Sequence, residues 1–369
     1  MKYIKLASRL LIAVPIIGYQ LPGKFVYVLF GTVQSLKSFR IALGLSFLVI
    51  FFLINLLLTR HNALSSADII FDFMILANLV ILYNFRSQDQ VGVVRPVLVL
   101  LLSGVLIQIL LGFYTGSTRL MEVFGRNIVV LGGGSASMSI LFGMLLIIGI
   151  SGVSVNSYVV TPDLRLKRET VFLAFACLVA AIGLVVSGGR TPLAASLLIL
   201  LISYRSQWKR FILPLASFLL LFYFSEFFEL LISRTVLTSR EDFLLYSTTG
   251  RWEIYQEVFN YLNTREEEWT SCIGCKTNIL AFVSDNINRI EDQFHSEPLR
   301  LYVILGIIGP ALYVIGLLYF SCSIAFKDCR STLFQQLALY LLLVGLTDNT
   351  LIYLHFWLIA YHVGSKSSL

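Results

Sequence analysis

The stretch DQFHSEPLRLYVILGIIG (Asp292–Gly309) joins a polar segment to an almost wholly apolar one. Ser296 or Glu297 can cap a helix, and Pro298 suits the first helical position, where its missing N–H leaves no bond unmade. The apolar run that follows is long enough to predict a helix that crosses a membrane. His295 is therefore expected just outside the N-terminus of an apolar helix.

The composition of the chain is that of a membrane protein. Its 369 residues are 57% hydrophobic and 13% charged, with a mean hydropathy of +0.83. A soluble chain keeps about 25% charged residues, so the sequence predicts an integral membrane protein. The first apolar run, after Met1, Lys2 and Tyr3, lacks a small-residue cleavage site. It is expected to be a retained span and not a signal peptide.

The expected fold is an all-α polytopic membrane protein with about twelve transmembrane helices and one large, partly helical periplasmic loop. Residues 1–231 form a helix bundle of nine spans, residues 232–297 form the loop, and residues 298–369 hold three further spans. A single span over 6–36 would replace the first two, but it would place basic residues of the N-terminus outside. The spans are expected at 6–20, 23–36, 40–59, 66–84, 93–114, 135–156, 169–187, 191–204, 211–231, 298–321, 333–347 and 350–364.

Basic residues predict the orientation of these spans. Sixteen of them fall on the termini and inner loops of the twelve-span arrangement, and five fall on its short outer loops. Because Lys and Arg accumulate on the cytoplasmic side, both termini are expected in the cytoplasm. The loop then lies outside, and its residues 232–296 carry six basic and ten acidic side chains. A loop of this length is seldom a passive link, so we expect an ordered cap on the membrane.

A second helix start is expected on the outer side in SGGRTPLAASLLILLISY (Ser187–Tyr204). Thr191 is a good N-cap, and Pro192 fits the first helical position. Arg190 therefore lies beside a helix N-terminus.

A third helix start is expected inside the loop, in STTGRWEIYQEVFNYL (Ser247–Leu262). Arg251 stands in its first turn, where the helix macrodipole disfavours a cation unless an anion is bound. Steps of three and four residues predict one apolar face, made of Trp252, Tyr255, Phe259 and Leu262.

These three helix starts together predict an anion site. Backbone N–H groups at helix N-termini bind anions, and arginine adds a fork that suits phosphate. Histidine is the side chain whose unperturbed pKa lies nearest neutrality, so it can accept a proton. If Arg190, Arg251 and His295 meet in space, they form a site for a phosphate-bearing ligand.

The same residues carry a family resemblance. The sequence contains SGGRT (Ser187–Thr191), GRWEIY (Gly250–Tyr255), and His295-Ser296 followed after nine residues by GIIG (Gly306–Gly309). In this order and spacing the chain resembles the O-antigen polymerase and ligase family of bacterial envelope glycosyltransferases. The resemblance covers about residues 170–325, and it extends to the first 120 residues only by hydropathy. The chain departs from the family at SCIGCKT (271–277), where many members have a glycine-rich turn.

The resemblance implies a metal-independent glycosyl transfer at the periplasmic face of the bacterial inner membrane, with no cofactor. The donor would be a glycan on undecaprenyl diphosphate. Arg190 and Arg251 would hold the diphosphate, and His295 would accept the proton of the acceptor hydroxyl. Arg300, Tyr302 and Arg126 are further candidates for the substrate site. The expected partners are lipid-linked glycans, the lipid bilayer, and chain-length regulator and flippase proteins, and no nucleic acid is expected.

Several alternatives stay open at this stage. Arg190 can be an interfacial arginine that reaches the headgroups, Arg251 a solvated loop charge, and His295 a hydrogen bonder at a helix end. Cys272 and Cys275 have zinc or redox spacing, but the second ligand pair and the βαβ context are missing from the sequence. Within the family, a polymerase of repeat units is favoured over a ligase that transfers finished glycan to lipid A core. A transporter or flippase for the same glycans is the alternative from another class.

Overall fold

The structure is a computed structural model. The described residues are 46, 50, 102, 119–123, 126–130, 135–156, 164–186, 190–205, 251–264, 282, 285–286, 295–305, 307–327, 333–348, 350–351, 356–357 and 359–360. Cys272 and Cys275 lie outside the described residues. So do, apart from a few single residues, the predicted spans 6–20, 23–36, 40–59, 66–84, 93–114 and 211–231 and most of the span 350–364.

The described part is helical apart from one short hairpin, as the predicted fold class requires. The helix α1 occupies 135–156, where a span with these same limits is predicted, and the start of α7 likewise coincides with the predicted span at 333–347. In chain order the helices are α1 (Ser135–Asn156), α2 (Leu164–Val186), α3 (Arg190–Ser203), α4 (Arg251–Thr264), α5 (Glu297–Leu305), α6 (Ile308–Lys327) and α7 (Leu333–Gly345).

A two-stranded hairpin lies in the outer loop predicted between the spans at 93–114 and 135–156. Its strands β1 (Arg119–Val123) and β2 (Arg126–Val130) are antiparallel, and Arg119 pairs with Val130. Only two residues, Phe124 and Gly125, separate the strands in the sequence. Val and Ile favour strands, and a two-residue connection that contains glycine is typical of hairpins. These local signals were overlooked in what was predicted to be an outer loop.

The predicted span 298–321 is wrong as a single helix, because the chain breaks between α5 and α6. A Cβ on Gly309 would overlap the backbone carbonyl of Leu301. In a continuous helix these residues would be about 12 Å apart, so α6 instead folds back against α5. Pro310 supports the break, since it has no N–H to donate to the carbonyl of residue 306. Gly309 permits this close approach because it has no side chain.

The centre of the fold is α1, which is buried on every side from Met138 to Ile148. It packs against α2, α3 and α7. The hydroxyl of Tyr340 donates to the carbonyl of Ile140 (2.9 Å), and the hydroxyl of Ser151 donates to Oε1 of Gln336 (2.8 Å). As numbering rises along α1 it therefore falls along α7, so these helices are antiparallel and α7 ends where α1 begins.

One helix in the described part of the chain, Ile308–Phe326 within α6, is long and apolar enough to cross a membrane. Shorter apolar helices occupy Met138–Ser151, Val171–Leu184, Thr191–Ser203 and Leu333–Gly345. Length and composition thus give one full-length candidate span among the described residues.

Candidate functional site at the helix starts

The start of α3 lies against the end of α7. The hydroxyl of Thr347, two residues beyond α7, donates to the hydroxyl of Thr191 at a distance of 2.9 Å. Thr191 is the second residue of α3, directly after Arg190. The N-terminus of α3, with the backbone of Arg190, is therefore placed at the end of the bundle where α7 finishes.

The start of α5 reaches the same end of α7. A Cβ on Gly345, the last residue of α7, would lie 3.2 Å from Cγ of Glu297, the first residue of α5. The Oε1 atom of Glu297 accepts a hydrogen bond of 2.8 Å from the backbone N–H of Leu351. Glu297 is 0% exposed. The hydrogen bond of this buried carboxylate joins the start of α5 to the segment that follows α7. The start of α5 therefore lies near Thr347.

The loop helix α4 packs directly on α5. Ile254, Val258 and Tyr261 of α4 form an apolar cluster with Tyr302 of α5, and Leu299 packs against it. The predicted apolar face of α4 is thus partly wrong. Tyr255 and Leu262 lie at this interface, but Phe259 is 49% exposed, because the face that α4 buries is centred on Ile254 and Val258.

One hydrogen bond joins the start of α4 to His295. The hydroxyl of Tyr255 donates to the backbone carbonyl of His295 at 3.1 Å. Arg251 precedes Tyr255 by four residues on the same helix, about 6 Å along its axis, and residues four apart share a helix face. The backbone of Arg251 therefore begins α4 one turn from the contact with His295.

His295 has the left-handed backbone conformation, with φ of 49°. For a residue with a side chain this conformation costs about 1–2 kcal/mol. It stops α5 from extending backwards, so that Ser296 becomes the N-cap and its carbonyl accepts the first helical bond, from the N–H of Arg300 (3.0 Å). The side chain of His295 is half-buried, and its Nδ1 atom is buried.

Arg300 is the unusual group of this site. The residue is 1% exposed, and neither Nε nor Nη1 has a hydrogen-bond acceptor within the described part of the chain. Those two nitrogens carry three of the five N–H donors of a guanidinium. Each buried donor left without a partner costs about 1–3 kcal/mol, and a charged one costs more. The fold therefore holds a cation that its own described residues do not satisfy.

The predicted site residues are placed as follows. Arg190, Arg251 and His295 mark three helix starts that are linked by contacts at one end of the bundle. Arg300 and Tyr302 are both buried in α5, the helix that follows His295. Arg126 begins β2 opposite Val123, in the hairpin that precedes α1. The side chains of Arg126, Arg190 and Arg251 lie outside the described part, so their placement is that of the backbone.

Two residues of the site were missed by the sequence analysis in these roles. Glu297 was read only as a possible cap of its own helix, whereas its carboxylate bonds to Leu351, 54 residues away. Tyr255 was expected on the apolar face of its helix and in the GRWEIY motif, but not as a hydrogen-bond donor to the carbonyl of His295. The signal that could have revealed the role of Glu297 is its position at the edge of an apolar run. A carboxylate that becomes buried there needs a hydrogen-bond partner.

Comparisons with known proteins add no relative. No protein-family model, no curated protein and no solved structure matches the chain. Among the described residues there is no cluster of three or more His, Cys, Asp or Glu side chains that could hold a metal ion.

Proposed function

We propose that the protein polymerises lipid-linked oligosaccharide repeat units at the periplasmic face of the bacterial inner membrane. It would transfer a growing glycan from undecaprenyl diphosphate to the next lipid-linked repeat unit. The product would be an O-antigen, a capsule or an exopolysaccharide.

The observation that carries this proposal is the convergence of three helix starts. The N-termini of α3 and α5 lie beside the end of α7, through Thr191, Thr347 and Glu297. The start of α4 joins them through Tyr255 and His295. Positive helix ends that lie at one place, two of them beginning with an arginine, favour a ligand with concentrated negative charge, such as a diphosphate.

The chemistry assigned to these residues is an acid–base and electrostatic one. His295 takes the proton of an acceptor hydroxyl, and the oxygen forms a bond to the anomeric carbon of the donor sugar. The bond from that carbon to the diphosphate oxygen breaks, and the lipid diphosphate leaves with the electron pair. Arg190 and Arg251 stabilise the charge on the leaving group, and each such donor contributes about 3–4 kcal/mol. A positioned base contributes about 10²–10⁴ in rate.

The membrane part of the proposal is supported by apolar side chains that face outward. On α2, Val171, Phe175, Leu178 and Ile182 are exposed and follow one another at helical spacing. On α6, Ile315, Leu318 and Tyr319 are exposed in the same way, within the helix that is long enough to span. Soluble monomers rarely expose contiguous apolar surfaces of this kind, and a lipid bilayer would cover both. In this proposal the chain crosses the membrane about twelve times, with both termini in the cytoplasm.

The test is polymerisation by the purified protein. Protein in lipid nanodiscs is mixed with lipid-linked repeat units, without nucleotide, and chain length is followed on gels. The wild type should lengthen the glycan, while His295→Ala and Arg251→Ala should not. Arg205→Ala is the matched control, because Arg205 is exposed and follows the opposite end of α3. If both site variants elongate glycans as the wild type does, the mechanism is wrong.

Gene deletion separates the polymerase from a ligase. Loss of a polymerase leaves a single repeat unit on the lipid A core, whereas loss of a ligase leaves a bare core. A bare core would overturn the assignment as a polymerase while the glycosyl transfer chemistry could still hold.

A further inference from the structure

The guanidinium of Arg300 lies in the interior of the site without a protein acceptor for Nε or Nη1 among the described residues. Helical side chains lean towards the N-terminus of their own helix. Arg300 is the fourth residue of α5, so its side chain leans towards Ser296 and His295. The unsatisfied cation therefore lies in the first turn of α5, the helix that follows the proposed base.

Neither Nε nor Nη1 of this cation donates a hydrogen bond to the nearest carboxylate in the sequence. Glu297 lies one turn before Arg300, but its Oε1 atom accepts the N–H of Leu351. Nε and Nη1 of Arg300 donate neither to Glu297 nor to any other residue in the described ranges. A buried charge without a partner is strongly unfavourable, and an arginine enclosed in this way is best explained by an acceptor that arrives with the ligand.

We propose that Arg300 is a substrate-binding residue that recognises an oxyanion carried by the lipid-linked glycan. This inference rests on the proposed function for the identity of the ligand, and it adds a requirement that the substrate bring oxyanion acceptors to the first turns of α5. Two sources have this chemistry, namely the diphosphate of the carrier lipid and the carboxylate of an acidic sugar. Both accept charge-assisted hydrogen bonds from guanidinium N–H groups.

The experiment compares Arg300→Met with the wild type in detergent or nanodiscs. Methionine fills a similar volume without charge, so the ligand-free variant should unfold at a higher temperature than the wild type. The probes are farnesyl diphosphate and a disaccharide that contains glucuronate, with farnesol and a neutral disaccharide as uncharged counterparts. One of the anionic probes should raise the unfolding temperature of the wild type. Its affinity should fall at least about tenfold in Arg300→Met, which is the loss of one charge-assisted hydrogen bond.

The outcomes separate the two sources. A loss confined to farnesyl diphosphate assigns Arg300 to the diphosphate, and a loss confined to the glucuronate disaccharide assigns it to an acidic sugar. Arg205→Met, which removes an exposed arginine, should change neither the unfolding temperature nor the affinities. Should Arg300→Met not express, Arg300→Gln is measured in the same way.

A lower unfolding temperature of ligand-free Arg300→Met, together with unchanged affinity for both anions, would mean that Arg300 serves the fold and would overturn the inference. Failure of both anionic probes to bind the wild type would overturn it too. Because the measurement is of binding without turnover, this inference can fail while glycan polymerisation is observed, and it can hold when polymerisation is absent.

Discussion

Replacing Gly309 with alanine tests the fold-back of α6 on α5. The new methyl group would meet the backbone carbonyl of Leu301, which cannot rotate away as the end of a side chain can. The two helices must therefore separate by about 1 Å, and overpacking of this kind costs about 1–3 kcal/mol. Helix propensity returns about 1 kcal/mol, so the expected net loss of stability is about 0–2 kcal/mol.

The larger effect is expected on turnover. His295 lies two residues before the start of α5, so a shift of α5 displaces its imidazole. A misplacement of about 1 Å at a reacting group costs about 100-fold in rate. The assay is glycan elongation by purified Gly309→Ala, beside its unfolding temperature. Gly149→Ala is the control, since its methyl group meets mainly the Sγ atom of Cys177, which can rotate. Elongation and stability of Gly309→Ala equal to those of Gly149→Ala would refute the close packing of α5 and α6.

Substitutions at three positions test the contacts around His295. Tyr255→Phe removes the hydrogen bond to the carbonyl of His295, which contributes about 1 kcal/mol. The turnover number should fall while KM stays near the wild-type value. An unchanged turnover number would mean that this bond does not position His295. His295→Gly and His295→Ala should both abolish elongation. The glycine variant should be the more stable of the two by about 1 kcal/mol, because glycine adopts positive φ without strain. Equal free energies of unfolding for the two variants would contradict this prediction. Glu297→Ala leaves the N–H of Leu351 buried without an acceptor and should cost about 3 kcal/mol, whereas Glu297→Gln keeps an acceptor and should cost about 1 kcal/mol, a difference that unfolding in denaturant measures.

The sequence predicted those elements whose signals are local. The apolar run at 135–156 gave the limits of α1, because a helix that is apolar all round and bounded by Gly134 and by polar residues has few alternatives. The break between α5 and α6 was not predicted, since Gly306 and Pro310 lie inside one long apolar run. No local sequence signal shows that the carbonyl of Leu301 lies where a side chain at position 309 would be. Such a contact depends on tertiary packing.

The same distinction between local sequence signals and tertiary contacts applies to the site. The helix starts at Arg190, Arg251 and Glu297 could be predicted from capping residues and proline, but their meeting at one end of the bundle could not. That meeting depends on contacts between residues far apart in sequence, such as Thr191 with Thr347. Arg300 was a candidate only by its nearness to His295, because burial without a protein acceptor is a property of the folded chain.

Affinity labelling of the helix starts tests the central claim most directly. The reagent is an isoprenyl diphosphate with a diazirine on its first isoprene unit, beside the diphosphate, and labelled peptides are identified by mass spectrometry. Labels are expected on the peptides that hold Arg190–Thr191, Arg251–Tyr255 and His295–Tyr302, and unlabelled isoprenyl diphosphate should suppress all three together. Labels on only one of these peptides, or on the exposed face of α2 around Phe175 without such competition, would show that the three helix starts do not share one ligand.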